Sequence, residues 1–240
     1  MKGLKFTALV LCASMLLSSC NMNNTGKGSL IGAGGGAALG SVIGALASNN
    51  KGKGAGIGAA VGSAVGAGVG ALIGKKMDKA KAAAEEVENA QVESVTDANG
   101  LQAVKVTFDS GILFATSSSS LSSNATASLA KFASTVLNVN KDMDVAIKGY
   151  TDNQPWKNST AAESVQKNLN LSKQRAEAVS SYLKQCGVSS SQIASVEGLG
   201  EADPVADNST KAGQEQNRRV EIYLYASQAM IEAAQAQSGN

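Results

Sequence analysis

Apolar residues recur along this chain in three different rhythms, and each predicts a different kind of structure. The first is an unbroken apolar run, Phe6–Leu17, preceded by Lys2 and Lys5 and followed by Ser18 and Ser19. The second is a set of glycines four residues apart, at 28, 32, 36, 40 and 44 and again at 54, 58, 62, 66, 70 and 74, with Ala, Val, Ile and Leu between them. The third begins near residue 90. Gln91–Thr96 and Leu101–Phe108 alternate apolar and polar positions around Asp97-Ala-Asn-Gly100, which predicts a β-hairpin. An apolar patch, Ile112–Ala115, and a serine run, Ser117–Ser120, follow. Leu121, Ala125, Leu129, Phe132, Val136 and Leu137 then share one face of a helix. Met143–Tyr150 reads as a strand, Thr160–Lys184 as a long helix, Gln192–Gly198 as a strand and Arg218–Tyr225 as the last strand. Between the glycines and the hairpin, Met77, Ala80, Ala84 and Val87 lie at helical spacing and predict a short stalk over residues 76–90. Strands alternating with helices predict an α+β domain whose sheet carries helices on one face.

The charged, apolar, small-residue order of the first nineteen residues is that of a secretory signal, too short in its apolar part to span a bilayer. It ends in Leu17-Ser18-Ser19-Cys20, which resembles the lipobox of bacterial lipoproteins. The resemblance implies cleavage before Cys20 and acylation of its thiol, with residues 20–27 as a short tether. Several acyl chains make a stable anchor, since each buried methylene contributes roughly 0.8 kcal/mol.

The glycine repeat divides into two uncharged runs, 28–48 and 54–74, separated by Asn49-Asn50-Lys51-Gly52-Lys53. Each run of 21 residues is ~31 Å long as a helix at ~1.5 Å per residue, one hydrocarbon thickness. Glycines at intervals of four line one helix face and let a second helix approach closely. The pattern resembles the glycine-zipper segments of bacterial envelope proteins and implies a membrane hairpin over residues 28–75. Its contacts would run along Gly32, Gly36, Gly40, Gly44, Gly58, Gly62, Gly66 and Gly70. A Gly/Ala linker or a soluble zipper is the alternative, because glycine costs a helix in water roughly 1 kcal/mol relative to alanine. Two crossings would return the chain to the membrane face that holds Cys20. Gly70–Lys76 is one residue short of a phosphate-binding loop and lacks its Ser/Thr.

Composition narrows the chemistry. The chain has no histidine, which excludes a Ser-His-Asp or Cys-His site and any histidine-ligated zinc. Net charge is +2, so no overall basic field marks a nucleic-acid binder. Nine lysines and one acid fall in residues 1–81, whereas residues 100–227 hold twelve bases and twelve acids. With Cys12 in the signal and Cys20 acylated, Cys186 stands alone, so the mature chain has no internal disulfide to supplement its core.

Four further stretches carry a family resemblance: Gly149-Tyr-Thr-Asp152-Asn153, Asn168-Leu-Asn-Leu-Ser172-Lys-Gln-Arg175-Ala176, Gly198-Leu-Gly-Glu201-Ala-Asp-Pro204-Val205, and Asn217-Arg-Arg-Val-Glu221. In this order and spacing they resemble the OmpA-like C-terminal domain, here over residues 91–227 with a tail at 228–240. The resemblance implies helices on one face of a mixed sheet and a site for peptidoglycan. Meso-diaminopimelate in the stem peptide carries an ammonium and a carboxylate on one carbon. The resemblance implies that Asp152 receives the ammonium and Arg175 grips the carboxylate with two parallel hydrogen bonds. Asn168 lies two helical turns before Arg175 on the same face and is a further ligand candidate, as is Arg218. An ordinary ion pair is the structural alternative for Asp152 and Arg175. Tyr150 stands where many members have histidine, Gln154–Gln166 departs from the compact loop of the family, and Trp156 within it has no place in the pattern.

These observations predict a non-enzymatic envelope lipoprotein that needs no cofactor and no metal. It would tether a membrane to peptidoglycan, with its C-terminal domain in the periplasm beneath the outer membrane. A second reading is a zipper-driven homo-oligomeric pore or scaffold that wall binding only positions. A wall hydrolase using Asp152 with Glu163 or Glu201 is a third, weakened by the absence of any sign of a raised carboxyl pKa.

Overall fold

The computed structural model describes residues 66–97 and 100–238. Helix α1 (Ala67–Glu85) leads into the hairpin β1 (Ala90–Thr96) and β2 (Gln102–Asp109), whose register pairs Ala90 with Phe108 and Thr96 with Gln102. The hairpin is where the alternation predicted it. Asp97 closes its turn by accepting the Leu101 amide at 2.8 Å. A short helix α2 (Ser110–Leu113) follows, then α3 (Ser123–Phe132), which widens into a π turn at Ala133–Leu137. Strand β3 (Met143–Gly149), the long helix α4 (Ala161–Gln185) and strand β4 (Ile193–Gly198) form a parallel crossover unit. Helix α5 (Lys211–Asn217), strand β5 (Arg219–Ala226) and helix α6 (Gln228–Ser238) complete the order.

The five strands run β1-β2-β5-β3-β4, antiparallel except for β3 with β4, so the sheet is mixed. Period-two alternation sorts its two faces. Val104, Val106, Phe108, Val145, Ile147, Val220, Ile222 and Leu224 point to one side and join the apolar faces of α1, α3, α4 and α6 in one core. Phe108 and Phe132 meet edge to face at 6.0 Å in its middle. Ala103, Ala146, Tyr223 and Tyr225 form a smaller cluster on the opposite face.

Helix α4 is bounded by local chemistry. Thr160 and Glu163 form a reciprocal capping box at its start, where each side chain bonds the other's backbone N–H. At its end Gly187 takes φ +89°, and the amides of Gly187 and Val188 return to the carbonyls of Lys184 and Leu183. Cys186, at that end, is a free thiol.

Two expectations change at the edges of the domain. The boundary expected at residue 75, between a membrane segment and a stalk, is absent. Helix α1 runs continuously from Ala67, and Val69, Ile73, Met77, Ala80 and Ala84 are all buried against the domain. Residues 66–75 therefore bury their apolar face in protein contacts rather than lipid. Among the described residues no helix is long and apolar enough to cross a membrane. Gly70 is buried within α1, whereas a Cβ at Gly66 would meet nothing within 4 Å. Cys20 and the zipper positions Gly32, Gly36, Gly40, Gly44, Gly58 and Gly62 lie outside the described residues. At the other terminus, the segment read as a tail is helix α6, which packs Met230, Ile231 and Ala234 into the core beside α1.

Candidate functional site

The site begins with two glycines that let a helix touch a sheet. A Cβ on Gly149, at the end of β3, would lie 2.2 Å from the Ser172 carbonyl oxygen, and one on Gly198, at the end of β4, 2.2 Å from the Lys173 nitrogen. Side chains there would push α4 away; without them the helix rests on the ends of both strands. Ser172 secures the contact by accepting the Gly200 amide at 2.9 Å while donating to the Leu169 carbonyl at 2.7 Å. Asn168, Ser172 and Arg175, three and four residues apart, consequently face the sheet end. Beyond β3, the Thr151 amide donates to the Gly200 carbonyl at 2.8 Å, which holds the chain extended into Asp152.

Asp152 and Arg175 line one cleft of about 720 Å³ together with Arg218, Phe114 and Trp156. The ordinary Asp152–Arg175 ion pair, the structural alternative to a binding site, is not formed. Asp152 accepts from Arg218 Nη1 at 2.5 Å through Oδ2, and from the Gln154 amide at 3.2 Å through Oδ1. Arg175 reaches elsewhere: its Nε donates to the Ser118 carbonyl at 3.0 Å, and its guanidinium lies 5.2 Å from the Phe114 ring centre. Its Nη1 is buried with no hydrogen-bond partner. Burial holds the Arg175 pKa below its ordinary value, Arg218 adds to that shift, and Asp152 opposes it. Two more buried oxygens on the cleft wall, Ser110 Oγ and Thr151 Oγ1, also lack partners. Three such atoms thus gather at the cleft, while others, at Gln102, Gln192, Ser195 and Tyr225, are scattered elsewhere among the described residues.

The other candidates divide. Arg218, half-exposed, belongs to the site as the partner of Asp152. Asn168 is committed internally: its Oδ1 accepts the Trp156 indole N–H at 2.7 Å, and its Nδ2 donates to the Gln154 carbonyl at 3.2 Å and to Glu201 at 2.8 Å. It braces the loop that forms a cleft wall. The last motif splits by parity and capping. Asn217 pins the loop after β4 by accepting the amides of Val205 and Ala206, and Arg219 turns to the opposite face of the sheet. Sequence reasoning missed the Phe114 and Ser118 seat of Arg175, and it left Trp156 unplaced. The signal for Trp156 was available, since it is a lone aromatic in a polar segment.

Residues 113–218 match the model of the OmpA family. These residues form an OmpA-family domain. Residues 1–78 match the YMGG-like Gly-zipper model, so the chain joins a glycine-zipper segment to that domain. The outer-membrane lipoprotein YfiB of Pseudomonas aeruginosa is 36% identical over 115 residues, 48% of this chain and 62% of that protein. The peptidoglycan-binding protein ArfA of Mycobacterium tuberculosis is 46% identical over 83 residues, 35% of this chain and 23% of that protein. The chain thus spans less than two thirds of the length of either relative. A MotB-like protein of Desulfovibrio vulgaris superposes with a TM-score of 0.55 at 21% identity, over 71% of this chain and 99% of that one, which shows a shared fold.

Proposed function

We propose that this chain is a non-enzymatic envelope lipoprotein whose C-terminal domain binds the diaminopimelate of peptidoglycan stem peptides. The observation that carries the reading is the buried, unpartnered Nη1 of Arg175 in a cleft that also presents a carboxylate. A ligand carboxylate would satisfy that guanidinium, and Asp152 retains capacity for an ammonium beside its bond to Arg218. The relatives named for peptidoglycan binding and for outer-membrane lipoproteins support the same partner and an envelope location. Acylation at Cys20 would supply the membrane end of the tether, and the glycine zipper would help to hold or assemble the chain there.

The test is co-sedimentation of the full chain with purified sacculi, alongside Arg175→Lys. Lysine keeps the charge but cannot make a two-pronged contact with a carboxylate. We expect wild type to sediment and the variant to lose most binding with its fold intact; equal binding by both refutes the role of Arg175. Release of soluble muropeptides by wild type would refute the non-enzymatic reading. Loss of acyl labelling in Cys20→Ser tests the anchor, and unchanged labelling would overturn it.

A further inference from the structure

We propose that Trp156 is a platform for an amino-sugar ring of the glycan, so that the cleft reads a sugar together with its stem peptide; this rests on the peptidoglycan reading above. The cleft is larger than the zwitterion needs. Its volume of about 720 Å³ lies in the range, roughly 300–1,000 Å³, that encloses a whole drug-sized ligand. One end of the need is met by Asp152 and Arg175. The remaining wall is the loop that carries Trp156, and this loop is anchored rather than loose. The Trp156 amide donates to Ser164 Oγ at 3.1 Å, and its indole N–H donates to Asn168 Oδ1 at 2.7 Å. Both anchors sit on α4. The polar edge of the indole is satisfied inside the protein, and the half-buried ring contributes carbon surface to the cleft.

Fixed aromatic surface beside polar groups suits a ligand with an apolar face and a polar rim. In peptidoglycan the amino-sugar ring fits that description, with C–H bonds on its face and hydroxyl and amide groups around it. The residues next to diaminopimelate in the stem are short and offer no flat face. Spacing agrees. Asn168, which holds the indole, precedes Arg175 by seven residues, ~10 Å along a helix at ~1.5 Å per residue. Diaminopimelate is the third residue from the sugar, and two intervening residues span at least about 7 Å at ~3.3–3.6 Å each, the γ-linked glutamate and the lactyl ether adding to this. Lys157, beside Trp156, also lines the cleft and adds a charged donor to it.

Trp156 is the only tryptophan of the chain, so its emission reports on this wall alone. The full chain is titrated with a diaminopimelate tripeptide and with the same tripeptide on its disaccharide. We expect wild type to bind the disaccharide form about tenfold more tightly, with an emission shift on that form only. Trp156→Leu should bring the two affinities together, and Trp156→Phe, which keeps the aromatic face, should retain most of the difference. Equal affinities in wild type, or a difference that survives Trp156→Leu undiminished, would overturn the platform while leaving the peptide reading intact. Binding of neither ligand would overturn both.

Discussion

Two arginines of this domain are buried to nearly the same degree and do opposite things. Arg175 is 3% exposed and Arg219 is 4% exposed. Arg219, on the sheet face away from the helices, is fully served. Its Nε donates to Glu221 at 2.8 Å, Nη1 to the Asn217 carbonyl at 3.3 Å and Nη2 to the Asp203 carbonyl at 3.0 Å. Its guanidinium lies 3.7 Å from the centre of the Tyr150 ring. Glu221 in turn accepts from the Tyr223 hydroxyl at 2.6 Å, so the cluster closes on itself. Arg175, in the cleft, has one hydrogen bond and a buried nitrogen with none. The nearby carboxylate of Asp152 is taken by Arg218. Burial alone therefore does not separate these two arginines; the completeness of their hydrogen bonding does, and that difference is what the proposed binding role of Arg175 rests on. A closed network holds the end of β5, whereas the open one at Arg175 would gain most from the proposed ligand carboxylate.

The comparison breaks most readily at Arg219. Arg219→Ala strips the buried Glu221 carboxylate of its nearer counter-charge, leaving Lys105 at 4.0 Å, a change that costs about 3–5 kcal/mol in comparable pairs. Urea denaturation should show a loss of that size, and a loss below about 1 kcal/mol would mean the cluster is not structural. Asp152→Ala tests the other side. It removes the partner of Arg218 and the proposed partner of the ligand ammonium, and binding of a diaminopimelate muropeptide should weaken by about 2–5 kcal/mol, roughly 30-fold or more. Calorimetric titration of the full chain checks it.

Gly198→Ala sharpens the contrast by acting on position rather than charge. The new Cβ would meet the Lys173 backbone at 2.2 to 2.4 Å. Such overpacking costs about 1–3 kcal/mol and would displace α4, which carries Arg175, while Arg219 on β5 stays in place. Muropeptide affinity should therefore fall beyond the stability loss, and unchanged affinity would show that the glycine contact does not set the site. The smallest effect is a pH dependence confined to the closed cluster. Burial pushes the Glu221 carboxyl up, but the Tyr223 hydroxyl and Arg219 outweigh it, so its pKa sits below the ordinary carboxylate value. A lowered folded pKa stabilises fully above the unfolded value of about 4.3 and is lost as pH falls through the folded one. At the alkaline end, burial and then Glu221 raise the Tyr150 pKa, and burial and then the hydrogen bond to Glu221 raise that of Tyr223. Their stabilisation is present below about pH 10 and lost above it, as the unfolded phenols ionise. Urea midpoints across pH should fall at both ends in wild type, and the acid decline should flatten in Glu221→Gln.

Most of the domain was legible because its signals are local. The alternation in Leu101–Phe108 can only be a half-buried strand, and Thr160 with Glu163 marks a helix start within four residues. The resemblance of residues 113–218 to the OmpA family was legible for a related reason: Gly149 and Gly198 must stand at the strand ends for a helix to rest on them. The end of the glycine segment misled because spacing of four is equally the pattern of a zipper and of a helix face. Whether Val69 and Ile73 meet lipid or protein depends on what stands opposite. Here α6 does, from 160 residues downstream, and its own weak apolar stripe at Met230, Ile231 and Ala234 gains meaning only against α1.

The amino-acid order by itself determined the strands, the long helix and its capping box, since periodicity and capping act over a few residues. The tertiary structure alone decided which arginine pairs with Asp152, that Asn168 is a brace for Trp156, and that Arg175 is left with an unmatched donor. Those outcomes turn on differences of an ångström or two between groups 12 to 66 residues apart, as with Trp156 and Asn168, Arg175 and Ser118, or Arg218 and Asp152. Hydrogen bonds are lost over that distance, whereas the spacing of residues along a chain carries no information at that scale.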